Sequence, residues 1–155
     1  MALEKVIAFF EEKGIADRIR ILDESSATVA LAAEALHCSP AHIAKTLSFM
    51  TSDGPILIVA AGDAKVDNAK YKTYFGVKAK MLTPEEAVQY IGHAVGGVCP
   101  FAVNDGVTVY LDDSLKRFET VFPACGSSNS AIELTPAELD MYASPRAWVD
   151  VCRLL

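Results

Sequence analysis

Two hydrophobic rhythms alternate along the chain. "LEKVIAFFEEK" sets Leu3, Val6, Ile7 and Phe10 on one helical stripe, and Gly14 then suits the left-handed residue that ends a helix. "RIRILDE" alternates apolar and polar positions and predicts a strand, after which Ser26 or Thr28 caps a helix through "VALAAEAL". Ser39 and Pro40 form a further cap and first-turn pair, opening a short helix at "AHIAK" that flows into "TLSFMT". Lys45 to Thr51 therefore crosses from helix to strand. "SDGP" is a turn and "ILIVAA" is apolar at every position, so Thr46 to Ala61 reads as a hairpin whose second strand is covered on both faces. That strand belongs at the centre of a sheet.

Downstream, "DNAKYKTYFG" predicts a helix ended by Gly76. "TPEE" at Thr83 to Glu86 is a capping box for "PEEAVQYIG", with Gly92 after it. "VTVYLD" follows the Asp105-Gly106 turn as a strand, "DSLKRF" is a helical turn, and "SAIELT" is a strand leading to a second capping box, "TPAE", at Thr135 to Glu138. Helices and strands alternate, yet several neighbours are joined by short turns, so the sheet is mixed and the chain is one α/β domain over residues 1–155.

Length agrees, since 155 residues match one core. No apolar run approaches the roughly 20 residues of a spanning helix, so no membrane partner is expected. Glu4, Lys5, Glu11 and Glu12 interrupt the N-terminal stripe and leave no signal-peptide core, which predicts a cytoplasmic protein. Cys38, Cys99, Cys125 and Cys152 stand singly and read as free thiols. The net charge of −6 argues against nonspecific nucleic-acid binding. Between Lys65 and Lys80, however, five lysines (Lys65, Lys70, Lys72, Lys78, Lys80) face only Asp67. They are either a locally basic face or the solvated side of a helix and a strand.

The candidate chemistry is sparse. His37, Cys38 and His42, even with His93 and Cys99 added, do not form the two close ligand pairs of a zinc site, so no metal is expected. Without GxxxxGK[ST] or GxGxxG, nucleotide cofactors are not expected either. Asp112-Asp113 and Glu85-Glu86 sit where helix N-termini favour negative charge. Cys99 with His93 six residues earlier is a nucleophile and base of a cysteine-dependent hydrolase, or else an inert buried thiol. In "VGGVCPF", consecutive glycines bring backbone close to a ligand, and Pro100 pushes Cys99 toward extended geometry. The loop either holds a carbonyl or carboxylate through N–H groups or merely bends the chain between strands.

Lys45 in "IAKTLSF", the apolar strand followed by "AGDAKVD", and Gly96 and Pro100 in a GxxxP loop resemble the YbaK family. These are freestanding aminoacyl-tRNA deacylases related to the editing insertion of bacterial prolyl-tRNA synthetase. The resemblance spans roughly residues 18 to 140 and includes "VYLDDSLKRF" and "CGSSNSAIELTPAEL". It implies a mixed α/β fold with a small, curved, mostly antiparallel sheet surrounded by helices around a pocket. The implied reaction is hydrolysis of the ester joining a wrong, small amino acid to the 3′ end of tRNA-Pro or a similar tRNA. Lys45 matches the family's site lysine, and Gly96, Gly97, Val98, Cys99 and Pro100 match its loop. Substrate contacts are expected from Asp23 to Thr28, from Phe101, and from Lys65 and Lys70. "FPACGSSNSA" stands where the alanine-editing branch has a histidine and an Asn-x-Thr pattern, and Cys99 replaces a small or proline residue. The expected partner is the aminoacyl-tRNA acceptor end, with an aminoacyl-tRNA synthetase as a further partner and a monomer or weak homodimer as the assembly. A noncatalytic tRNA-binding or synthetase-associated module is the other reading of the same lysines.

Overall fold

The apolar run Gly54–Ala61 (β3) is the middle strand of the sheet, and from Leu57 to Ala61 its side chains have no exposure. A computed structural model describes residues 2–155. Around β3 run α1 (Ala2–Lys13), β1 (Ile19–Ile21), α2 (Val29–Leu36), β2 (Ile43–Thr51), β4 (Ala64–Val66), α3 (Asn68–Phe75), α4 (Pro84–Glu86), β5 (Thr108–Asp112), β6 (Phe122–Pro123), β7 (Ser130–Ile132), α5 (Pro136–Ala143), β8 (Ala147–Val149) and β9 (Cys152–Leu154). The central sheet has the order β6-β2-β3-β5-β8, and β1-β7 and β4-β9 form two-stranded flanks. β2 and β3 pair antiparallel along their whole length, from Ala44↔Ala61 to Thr51↔Gly54. β2-β6, β3-β5 and β5-β8 are parallel, each reached by the longer crossover that parallel pairing demands. The fold is therefore mixed α/β.

Two apolar clusters hold it together. The larger packs β3 and β5 against Val6 and Phe10 of α1 and Leu139 of α5; the Phe10 ring meets Phe101 edge-on at 4.8 Å. Each such fully buried side chain contributes about 1.5–3 kcal/mol. The smaller joins Ala32, Ala33 and Leu36 of α2 to Ile43, Phe122 and Ala131. Arg18 ties the β1 side to α5 by donating to both Glu138 carboxylate oxygens, at 2.7 and 3.1 Å. No described helix is long and apolar enough to cross a membrane.

Three local readings change. The expected helix at "AHIAK" is only a 3-10 turn at Pro40–His42, and the strand already begins at Ile43. Ile43 and Ala44 are drawn into the sheet by Phe122 and Pro123, partners some eighty residues away, so Lys45 is the third residue of β2. Thr28 caps α2 by accepting from Leu31 N–H, while Ser26 turns its hydroxyl to the Ser128 carbonyl at 3.2 Å. The helix opened by Thr83 continues from α4 as a wide π turn, Ala87–Ile91, in which Gly92 N–H donates to both Ala87 and Val88 carbonyls. Asn104 fixes that turn from outside, its N–H on the Ile91 carbonyl at 3.0 Å and its Nδ2 on Gln89 at 3.2 Å.

Candidate functional site

A cavity of about 300 Å³ opens where β2 loses its neighbour. β6 covers only Ile43 and Ala44 on that edge. Further along, Met50 N–H donates to the Lys80 carbonyl at 2.9 Å, and Leu82 N–H donates to the Ser48 carbonyl at 3.1 Å. Between these two attachments the edge around Lys45, Thr46 and Leu47 stays open, and such an edge offers backbone donors and acceptors to whatever fills the gap. The floor is the smaller apolar cluster: Ala32, Leu36, Ile43, Phe122 and Ala131. The segment from Ser26 to Thr28 and the residues Gly96 and Val98 close the walls, and Met81 and Val95, 58% and 64% exposed, stand at the mouth.

Lys45 is the one ionisable side chain among the lining residues. Its ammonium donates to the Ala64 carbonyl. Burial lowers its pKa, against the opposing pull of Cys152 and Asp63. Asp63 is itself clamped by both Arg117 guanidinium nitrogens, at 3.0 and 2.5 Å, which hold its carboxyl below the usual range. Beside the lysine, Thr46 Oγ1 is buried with no hydrogen-bond partner. A buried hydroxyl without a partner costs about 1–3 kcal/mol. Sequence reasoning missed Thr46, although the polar pair Lys45-Thr46 inside an apolar strand was the available signal.

The GGVCPF loop divides between wall and support. Gly96, at φ +96°, and Val98 line the cavity, and their N–H groups have no acceptor within the described chain. Gly97 N–H closes a turn on the Ala94 carbonyl at 3.0 Å. Gly97 also lies against the Gly126-Ser127 backbone, so closely that a Cβ there would be 2.6 Å from Ser127 N. Pro100 is buried behind the loop, outside the lining. Opposite, Ala124 and Ser130 form the wall, with Ser130 Oγ held 2.6 Å from Ser127 Oγ.

Several expected contacts lie elsewhere. Cys99 is fully buried outside the lining, and burial pushes its thiol up to about 12, the setting of an inert thiol rather than of a nucleophile. Its Sγ sits 3.7 Å from the Phe101 carbonyl and 3.6 Å from His93 Nε2, away from the cavity. Phe101 is a core residue, packed on Phe9 and Phe10. Asp23 is exposed and outside the lining, and Lys65 is exposed on β4. Lys70 is occupied by the Asp150 carboxylate and the Cys152 carbonyl, each at 3.0 Å. Of the expected residues, Ser26, Ala27, Thr28, Lys45, Gly96 and Val98 come together around the cavity.

His93, also fully buried, donates from Nε2 to the Phe101 carbonyl at 2.8 Å and leaves Nδ1 without a partner. Burial lowers its pKa below the ordinary 6.5. The unfolded chain then takes up a proton that the folded chain refuses, so stability falls as pH drops below about 6.5. Denaturant midpoints between about pH 5 and 8 should show this decline in the natural protein and a flatter one in His93→Gln. Equal pH slopes in the two proteins would contradict the assignment.

Known proteins share this architecture. The family described as aminoacyl-tRNA editing domain matches residues 23–142. The YwhH protein of Bacillus subtilis is 52% identical over 154 residues, covering 99% of this chain and 98% of its own. The proline–tRNA ligase of Lactiplantibacillus plantarum is 29% identical over 120 residues, 77% of this chain but 21% of the ligase, so the chain spans about a fifth of that enzyme. The crystal structure of a candidate trans-editing enzyme for prolyl tRNA synthetase superposes with a TM-score of 0.87 at 27% identity, covering 98% of this chain and 97% of the other. The chain belongs to the aminoacyl-tRNA editing domain family and is an aminoacyl-tRNA deacylase.

Proposed function

We propose that the cavity receives the aminoacyl end of a mischarged tRNA, of the tRNA-Pro type and carrying a small amino acid, and hydrolyses its ester. The observation that carries this reading is the composition of the lining: an apolar floor, one desolvated lysine, an unpartnered hydroxyl and two loop amides without an acceptor, with no carboxylate, imidazole or thiol among the described residues. An aminoacyl ester is already activated, so holding it, admitting water and stabilising the developing oxyanion suffice. The similarity to proline–tRNA ligases supports the choice of tRNA.

In this reading the side chain of the amino acid rests on Ala32, Ile43 and Ala131, and the Gly96 and Val98 N–H groups face its carbonyl oxygen. Water attacks the carbonyl carbon, and the negative oxygen of the tetrahedral intermediate is held by those amides. The bond to the terminal ribose oxygen then breaks, and that oxygen takes the proton given up by the water, leaving free amino acid and uncharged tRNA. Lys45 holds the terminal phosphate near the mouth of the site and fixes the ester against the loop. Thr46 Oγ1 orients the attacking water, whose hydrogen bond supplies the partner that the hydroxyl lacks.

Thr46→Val tests this role because the shape is kept and the hydroxyl removed. Deacylation should slow about tenfold or more, while the melting temperature rises by about 2–4 °C as an unpaired buried polar group disappears. Unchanged deacylation in Thr46→Val would remove the hydroxyl from the mechanism.

A further inference from the structure

Met81 stands at the mouth of the cavity, and the residues just before it lead to a separate hollow. Lys72 of α3 and Lys78 line that hollow together with Asn68, Ala69 and Ala79. Along the extended stretch from Lys78, exposure alternates, so Lys78 and Lys80 turn to the same side. The Lys80 carbonyl is fixed by Met50 N–H, which places Lys80 on the rim of β2 beside the mouth. From Lys78 to Met81 is about 10 Å of extended chain. Hollow and cavity are thus neighbours.

The charge there is uncompensated. Among the described residues Lys65, Lys72, Lys78 and Lys80 make no ion pair. Two acids of the neighbouring segments are already engaged: the Asp67 carboxylate caps α3 through the Ala69 and Lys70 N–H groups, and Asp150 holds Lys70. In a chain of net charge −6, cations left unpaired along one track between a hollow and the catalytic mouth focus a polyanion toward that mouth.

We propose that Lys72, Lys78 and Lys80 bind backbone phosphates of the tRNA acceptor strand and so guide its end into the cavity. The inference rests on the tRNA reading above but assigns a different part of the molecule. Phosphate contacts release counterions, so each gives a definite salt dependence.

The test is binding of uncharged tRNA-Pro between about 50 and 200 mM salt. In the Lys72→Ala, Lys78→Ala double variant, the slope of log affinity against log salt should be shallower by about one per lysine. Lys72→Arg with Lys78→Arg should restore it, and Lys13→Ala on α1 should leave it unchanged. In deacylation the double alanine variant should lose through KM rather than kcat. A double variant with the wild-type slope overturns the proposal. If the wild type deacylates no mischarged tRNA, the hydrolytic reading falls instead, while the salt slope still decides whether the hollow binds RNA phosphates.

Discussion

Lys45→Ala should lower kcat/KM on mischarged tRNA by at least about 100-fold, the scale expected when a preorganised charged group is taken from a water-poor site. Three features of the structure set this size. Among the described residues the lysine is the one ionisable group lining the cavity; burial has stripped part of its hydration; and the Ala64 carbonyl fixes its ammonium. A cation so placed acts in a lower dielectric than water, where a phosphate nearby is held more strongly. Lys45→Met separates the chemistry from folding. It keeps the apolar stem and removes the desolvated charge, so it should melt at the same or a higher temperature while remaining inactive. Lys45→Arg should rescue little, because a planar guanidinium does not reproduce a point charge set against one carbonyl. Activity within threefold of wild type in Lys45→Met would contradict the role given to this residue.

Gly97→Ala should destabilise the protein by about 2–3 kcal/mol and lower its melting temperature by about 4–12 °C. The added methyl group would meet Ser127 N at 2.6 Å, the Gly126 carbonyl carbon at 2.7 Å and Ser127 Cα at 2.8 Å. These are backbone atoms of a loop fixed by the Ser127, Asn129 and Ser130 hydrogen bonds, so they cannot swing aside as a side-chain tip would. Relief must come from the GGVCPF loop itself, which shifts Gly96 and Val98 away from the ester carbonyl. The surviving folded fraction should therefore also deacylate more slowly, with the loss in kcat. Thermal unfolding and single-turnover hydrolysis on the same preparation check both halves. A variant as stable and as active as wild type would mean that the two loops are not in contact in solution.

The turn in the glycine loop, the capping boxes at Thr83 and Thr135 and the central position of Gly54–Ala61 were legible because each rests on local chemistry: a turn, a cap, or an unbroken apolar run; Lys45 was singled out only by the resemblance of "IAKTLSF" to a known family. What the sequence hid was nonlocal. β6 and β8 are strands of two and three residues, formed because Ile43 and Tyr110 recruit them from far along the chain. The same recruitment turned the expected helix before Lys45 into strand. Within the site, Cys99 and Phe101 follow Gly96 so closely that they read as part of one surface. The turn closed by Gly97 and the burial of Pro100 instead send the two halves of the loop to opposite sides. Lys65 and Lys70 were legible as a charge cluster, but their partners were not. Lys70 is spent on Asp150, whereas Lys72 and Lys78 share the hollow. The polar pair Lys45-Thr46 inside an apolar strand was visible, but not that the Thr46 hydroxyl would be buried without a partner.

The most direct measurement of ester hydrolysis in this cavity compares initial deacylation rates of tRNA-Pro charged in turn with alanine, serine, cysteine and phenylalanine, each corrected for spontaneous hydrolysis. A cavity of about 300 Å³ is at the small end of ligand sites, and the small substrate proposed for it should make at least one of the first three a better substrate than the aromatic one. Release of a small amino acid should be at least about tenfold faster than release of phenylalanine, and Lys45→Met should abolish it. Spontaneous rates with all four amino acids, or equal acceleration of all four, would contradict hydrolysis of a small aminoacyl ester in this cavity.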